Sequence, residues 1–153
     1  MPADFFSGLS TTASVASTFK SLLKNTRGTR RALLIELQKN ILLLNLFADD
    51  NAKITTIIRR LETSEFEKAA KSDFNFKDLK KSKVNARLVE NIKSLQAYTG
   101  WQTEQLFENI YLKIHQLKSI IEIDPDNKKS FRLGVRLKNL HKLVVLLLKH
   151  IKS

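Results

Sequence analysis

Residues 128–151 read KKSFRLGVRLKNLHKLVVLLLKHI, and the spacing of their apolar side chains is that of a helix. On a helix turning about 100° per residue, Leu133, Leu137, Leu140, Val144, Leu147 and Ile151 fall on one side. Lys138, Lys142 and Lys149 fall opposite, flanked by Arg132 and His150. Nothing acidic offsets these cations, because residues 127–153 hold eight Lys or Arg and no Asp or Glu. Residues Leu143 to Leu148 are apolar all round the helix, so Val145 and Leu146 interrupt the polar side. Such a stretch is either wrapped by neighbouring elements or covered by a second copy of the chain, a candidate homo-oligomer contact, since exposed apolar patches mark interfaces.

The same periodicity recurs upstream. Phe5, Leu9, Ala16, Phe19 and Leu23 outline a first helix rich in Ser and Thr, with residues 1–10 a candidate for disorder. A second helix is expected over about Thr29–Phe47. Its stripe of Leu33, Leu37, Ile41 and Leu44 is matched by Ile35, Leu42 and Leu46 on the far side, which places it inside the core. Asp49 or Asp50 is a candidate cap for a third helix carrying Ile54, Ile57, Ile58 and Leu61. Ser64 and Glu67 stand at capping-box spacing for a fourth. From residue 72 to 83 the pattern dissolves into a long basic connection. Val84, Leu88, Ile92 and Leu95 then predict an amphipathic helix, with Gly100 as its C-terminal cap. Thr103 is the expected cap of a helix bearing Leu106, Ile110, Ile114, Leu117 and Ile121.

With four glycines and two prolines in 153 residues, breakers are scarce. The expectation is one all-α domain over residues 1–153, an up-and-down helical bundle of four long helices plus one or two shorter ones. Short loops make sequential helices antiparallel neighbours. Leu, Ile, Val and Phe fill one third of the chain, enough for a core. The N-terminus lacks a basic stretch followed by an apolar one, as a secretory signal needs. The longest apolar run is six residues, where a bilayer span needs about 20. The expected protein is soluble and cytoplasmic, with no membrane span.

The net charge of +12 favours polyanions or acidic partners. It is uneven: residues 1–31 carry +4, 32–70 −1, 71–93 +4, 94–126 −3 and 127–153 +8. The candidate contact residues are Lys128, Lys129, Arg132, Lys138, Lys142 and Lys149, together with Lys77, Lys80, Lys81, Lys83 and Arg87. The main reading is a non-enzymatic binding protein whose partner is a nucleic acid (RNA or DNA) or an acidic protein. A further reading is a structural subunit of a larger assembly. The aromatic interleaving of strand-stacking modules is missing from this linear pattern.

Several chemistries are excluded or disfavoured. No cysteine is present, which removes disulfides, thiolate metal sites and cysteine nucleophiles. His115, His141 and His150 show none of the spacings that put two ligands on one helical face, so no metal and no cofactor are implied. Arg27-Gly28-Thr29-Arg30-Arg31 lacks the phosphate-loop pattern and reads as a charged turn. The carboxylates at Asp49, Asp50, Glu62, Glu65 and Glu67 fall at expected helix junctions. Trp101, after Gly100, reads as packing back on the preceding helix.

Arg136-Leu137-Lys138-Asn139-Leu140-His141 places an arginine, four residues and a histidine in a small basic helical chain. This resembles the metal-independent ribonuclease motif of the higher-eukaryote-and-prokaryote nucleotide-binding (HEPN) family. The resemblance covers six residues. It implies an alternative function in which Arg136 and His141 act on an RNA phosphodiester, in a cleft usually formed by dimerisation. Leu137 stands where that family usually has a polar residue. On a straight helix the two side chains lie about 140° apart, so the reading requires them to reach a common cleft.

Overall fold

A computed structural model describes residues 3–50, 53–126 and 131–153. Among these, the chain forms six α-helices and no strand. They are α1 (Thr12–Leu23), α2 (Gly28–Asp50), α3 (Ile54–Arg60), α4 (Ser64–Lys71), α5 (Thr103–Ile123) and α6 (Leu133–Lys152). Four are long and two short, as the sequence predicts. No helix of the described residues is long and apolar enough to cross a membrane.

Side-chain contacts fix the directions. Arg31 donates to the Leu23 carbonyl and Asn45 to that of Leu9, so α2 runs antiparallel to the chain from Leu9 through α1. Asn40 Nδ2 donates to the Glu62 carbonyl, and Glu36 accepts from the amide of Glu65, so α3 and α4 run back along α2. Lys118 meets Arg59, His115 meets Glu67, and Phe107 meets Phe76, which sets α5 antiparallel to that composite leg. Thr103 meets His150 at one end of the α5–α6 pair, while Lys113 shares a cavity with Asn139 and Lys142 further along. The result is an up-and-down bundle in which α3 and α4 form one broken leg.

Helix α6 sits at the centre, packed on α2, on α5 and on the turn Ala86–Leu88. All six residues from Leu143 to Leu148 are at most 1% exposed within the single chain. They are therefore not free to contact a second copy, and the homo-oligomer surface expected there is absent. Burying each such side chain contributes about 1.5–3 kcal/mol. Part of the wrapping comes from residues 3–10, the segment offered above as a candidate for disorder. Phe5 and Leu9 are buried, the Gly8 carbonyl accepts from Thr18 Oγ1, and the Leu9 carbonyl accepts from Asn45 Nδ2.

Helix α2 departs from the expected two-sided apolar pattern. Ile35 and Leu42 are half-buried and Leu46 is 44% exposed. The buried arc is completed instead by Glu36, Asn40 and Asn45. Asn40 holds Glu62 through both its amide and the Glu62 N–H, at 2.9 and 2.8 Å. Glu36 accepts from the N–H groups of Glu65 and Phe66 at 2.8 and 3.2 Å, capping α4 from another helix. The predicted Ser64–Glu67 box is not the cap: Thr63 holds the N-cap position without a side-chain cap bond. Likewise Asp49 and Asp50 end α2 rather than starting α3, whose N-cap is Lys53. Helix α6 starts at Leu133, after Arg132 in a left-handed conformation (φ 54°).

The amphipathic helix predicted over Val84–Leu95 does not form. Residues 72–102 make one long connection containing short 3₁₀ turns at Phe76–Asp78, Ala86–Leu88 and Lys93–Tyr98. Asn75 and Asn85 accept from the amides two residues on, at 3.1 and 2.9 Å, offering the backbone an alternative to the helix. Val84 exchanges backbone hydrogen bonds with Gly100 and Trp101, both at 2.9 Å, so it cannot join a helix ladder. Gly100 (φ 84°) closes that loop rather than capping a helix. Val89, Ile92 and Leu95 are buried at every third residue, the period of a 3₁₀ rather than an α-helix.

Candidate polyanion-binding surface

Three hydrogen bonds assemble one end of the bundle. Arg30 Nη1 reaches the Asp78 carbonyl at 3.4 Å, Thr103 Oγ1 donates to the Lys80 carbonyl at 2.8 Å, and Lys80 Nζ donates to the main-chain oxygen of Ser153. They draw the start of α2, the basic connection, the start of α5 and the end of α6 together. Arg30 is half-buried, and Arg31, Lys77, Lys81 and Lys152 are exposed there. Asp73 and Asp78 lie in the same connection, and Glu104 follows Thr103 in the sequence. Segments that are separately basic in the sequence are thus joined by hydrogen bonds at this end.

His150 lies beneath this end, 1% exposed. Its Nε2 is 2.9 Å from Thr103 Oγ1. The Thr103 hydroxyl has a single hydrogen, given to Lys80, so His150 donates and is the Nε2–H tautomer. Burial, and then the charge of Lys80, hold its pKa below the ordinary imidazole value. His150 therefore works as a neutral strut under the surface and not as one of its cations. Thr103, the expected cap of α5, serves this contact, and Gln102 is the N-cap instead.

The other predicted contact residues divide. Lys128 and Lys129 lie outside the described residues. Arg132, at the N-cap of α6, and Lys138 on it are exposed. Lys149 is half-buried with Nζ 4.5 Å from the centre of the Phe5 ring, a cation–π contact. Lys77, Lys81, Lys83 and Arg87 are exposed and Lys80 is half-buried. The turn bearing Arg87 packs on α6, so both predicted basic groups adjoin this helix.

Lys142 lines a cavity of about 140 Å³ between α5, α6 and the turn Lys93–Tyr98. Ser94, Tyr98, Lys113 and Asn139 are its other polar walls, and Leu95 and Leu143 its apolar ones. Tyr98 meets Trp101 edge-on, with ring centres 4.7 Å apart. Burial raises the Tyr98 pKa, so the phenol keeps its proton at neutral pH. The sequence placed Lys142 on the polar side of α6. It gave no signal that Tyr98, 44 positions earlier, would stand beside it. A larger cavity of about 370 Å³ lies against Arg59, Lys118, Ile121, Glu122 and Pro125, but Glu122 offsets its cations and Lys118 is tied to the Arg59 carbonyl at 2.9 Å.

Arg136 and His141 are not brought together. Arg136 is exposed, and its Nε donates to the Phe131 carbonyl at 2.8 Å. His141 is 7% exposed, bonded to Asn45 and stacked obliquely on Phe6 at 4.8 Å. Burial pushes its pKa down to about 4. A single chain does not assemble the cleft that the ribonuclease resemblance requires. Among the described residues no group of three or more His, Asp or Glu side chains is arranged to hold a metal ion.

No protein-family model, curated protein or solved structure matches this chain.

Proposed function

We propose that the chain is a non-enzymatic binding module for the phosphate backbone of a nucleic acid, contacting it through the basic end of the bundle. The observation that carries this reading is the junction of Arg30 with Asp78, Lys80 with Ser153 and Thr103 with Lys80, which ties together three distant segments that are each basic in sequence. Cations on a firm scaffold displace the counterions condensed on a polyanion, and that release drives association. Backbone contacts of this kind position a protein without reading bases.

The test is affinity for RNA and DNA, single- and double-stranded, titrated against salt. Binding should weaken linearly on a log–log plot. Replacing Lys77, Lys81 and Lys152 with Gln should reduce the slope by about 0.9 for each duplex phosphate contact removed. Failure to bind any of the four nucleic acids, or binding indifferent to salt, overturns the reading and turns the search toward an acidic protein.

A further inference from the structure

The small cavity on the flank of the bundle has an unusual lining. Its polar groups are Lys113 from α5, Lys142 and Asn139 from α6, and Ser94 and Tyr98 from the connection. No carboxylate lines it. The positions three and four residues from Lys113 are Asn109, Ile110, Gln116 and Leu117, and those around Lys142 are Lys138, Asn139, Val145 and Leu146. Neither helix therefore supplies an acidic neighbour, and among the described residues neither lysine has an ion-pair partner. Two lysines thus line one small space that no acidic side chain lines.

Each of the five polar groups can donate. The ammoniums bring three hydrogens each, the Asn139 amide two, and the Ser94 and Tyr98 hydroxyls one each. An ionised phosphate offers only acceptor oxygens and a charge near −2, the complement of this set. Size narrows the occupant further. Drug-sized ligands fill about 300–1,000 Å³, and a single water needs far less than this cavity holds. A space of about 140 Å³ fits one compact anionic group rather than a whole cofactor.

We infer that the cavity formed by Ser94, Tyr98, Lys113, Asn139 and Lys142 is a binding site for a single phosphate group, carried by a free phosphate ester or by the end of a nucleic-acid strand. It shares no residue with the basic end, so it stands or falls separately from the function proposed above. Tyr98 lines it, and Trp101, the sole tryptophan, meets the Tyr98 ring edge-on, so occupancy is readable by fluorescence.

The experiment follows amide and side-chain NMR shifts and Trp101 emission of the full chain as inorganic phosphate is added, against chloride at equal ionic strength. Saturable shifts at Ser94, Tyr98 and the Asn139 amide are expected with phosphate alone. Lys113→Gln and Lys142→Gln should each weaken binding about tenfold, Lys142→Arg should retain it, and Lys20→Gln, exposed on α1, should leave it unchanged. Shifts that never saturate, that follow chloride equally, or that persist in the Lys113→Gln/Lys142→Gln double variant overturn the site. Matched oligonucleotides with a 5′-phosphate or a 5′-hydroxyl then identify the source. A preference for the phosphorylated end of at least tenfold assigns a strand terminus, and equal binding with retained affinity for a mononucleotide assigns a free ester.

Discussion

The Nε2 of His141 lies 2.8 Å from Oδ1 of Asn45, while Nδ2 of the same asparagine donates to the Leu9 carbonyl at 2.9 Å. The second bond fixes the amide orientation, so Oδ1 accepts and His141 is the neutral Nε2–H tautomer. One asparagine on α2 thereby ties the N-terminal segment to the central helix α6.

Stability should fall on mild acidification because of this arrangement. The folded pKa of His141 is about 4, against 6.5 ordinarily. Its neutral form therefore contributes stability that is complete above the unfolded value and is lost as the pH falls toward about 4. The loss amounts to at most about 3 kcal/mol. His150, shifted in the same direction, adds to it. Urea unfolding at intervals from pH 8 to pH 4 measures the trend. His141→Gln, which keeps a donor for Asn45, should make the profile shallower, and an unchanged profile would remove His141 as its source.

Glu36 should matter more than an ordinary surface carboxylate. It is 2% exposed and caps α4 through two N–H groups. Truncation leaves those half-buried donors unpaired, and each such loss costs about 1–3 kcal/mol. Glu36→Ala is expected to destabilise the protein by about 3 kcal/mol, and Glu36→Gln, which retains one acceptor oxygen, by less. Denaturant midpoints at constant m give the values; equal effects of the two variants would argue against the cap.

Leu146→Ala should create a cavity rather than loosen an association. Leu146 is 0% exposed within one chain. The expected cost is about 2–5 kcal/mol of folding stability. Sedimentation of wild type and variant should show the same molecular mass. A mass change caused by this substitution would return the segment Leu143 to Leu148 to the surface.

Amides of residues 84–98 should exchange with solvent faster than those of α5 and α6. Short 3₁₀ turns and local side-chain bonds hold this segment, and such regions open at lower free energy than packed helices. Val84, and Gly100 just beyond the segment, which are joined by backbone bonds, should be the best protected amides of the connection. Uniform protection across 84–123 would contradict the irregular connection.

Helices whose apolar residues recur over three turns or more were legible from the linear pattern. Leu33, Leu37, Ile41 and Leu44 in α2, and Leu106, Ile110, Ile114 and Leu117 in α5, are at most 2% exposed. Scarce breakers and regular spacing suffice for that, because an amphipathic stripe specifies its own period. The linear charge pattern likewise located the basic segments. Which segments meet was settled by packing between helices. Arg30 finds Asp78 across 48 positions, and Tyr98 finds Lys142, because bundle packing rather than local propensity brings them together. It also decided the caps: a distant Glu36 holds α4 and leaves the local Ser64–Glu67 spacing unused. Over Val84–Leu95 the apolar spacing fitted a helix, yet Asn85 and the backbone pairing of Val84 with Gly100 captured the local hydrogen bonds. A spacing pattern registers which residues are apolar, whereas the partners of their backbone groups are chosen by neighbours far away in the chain.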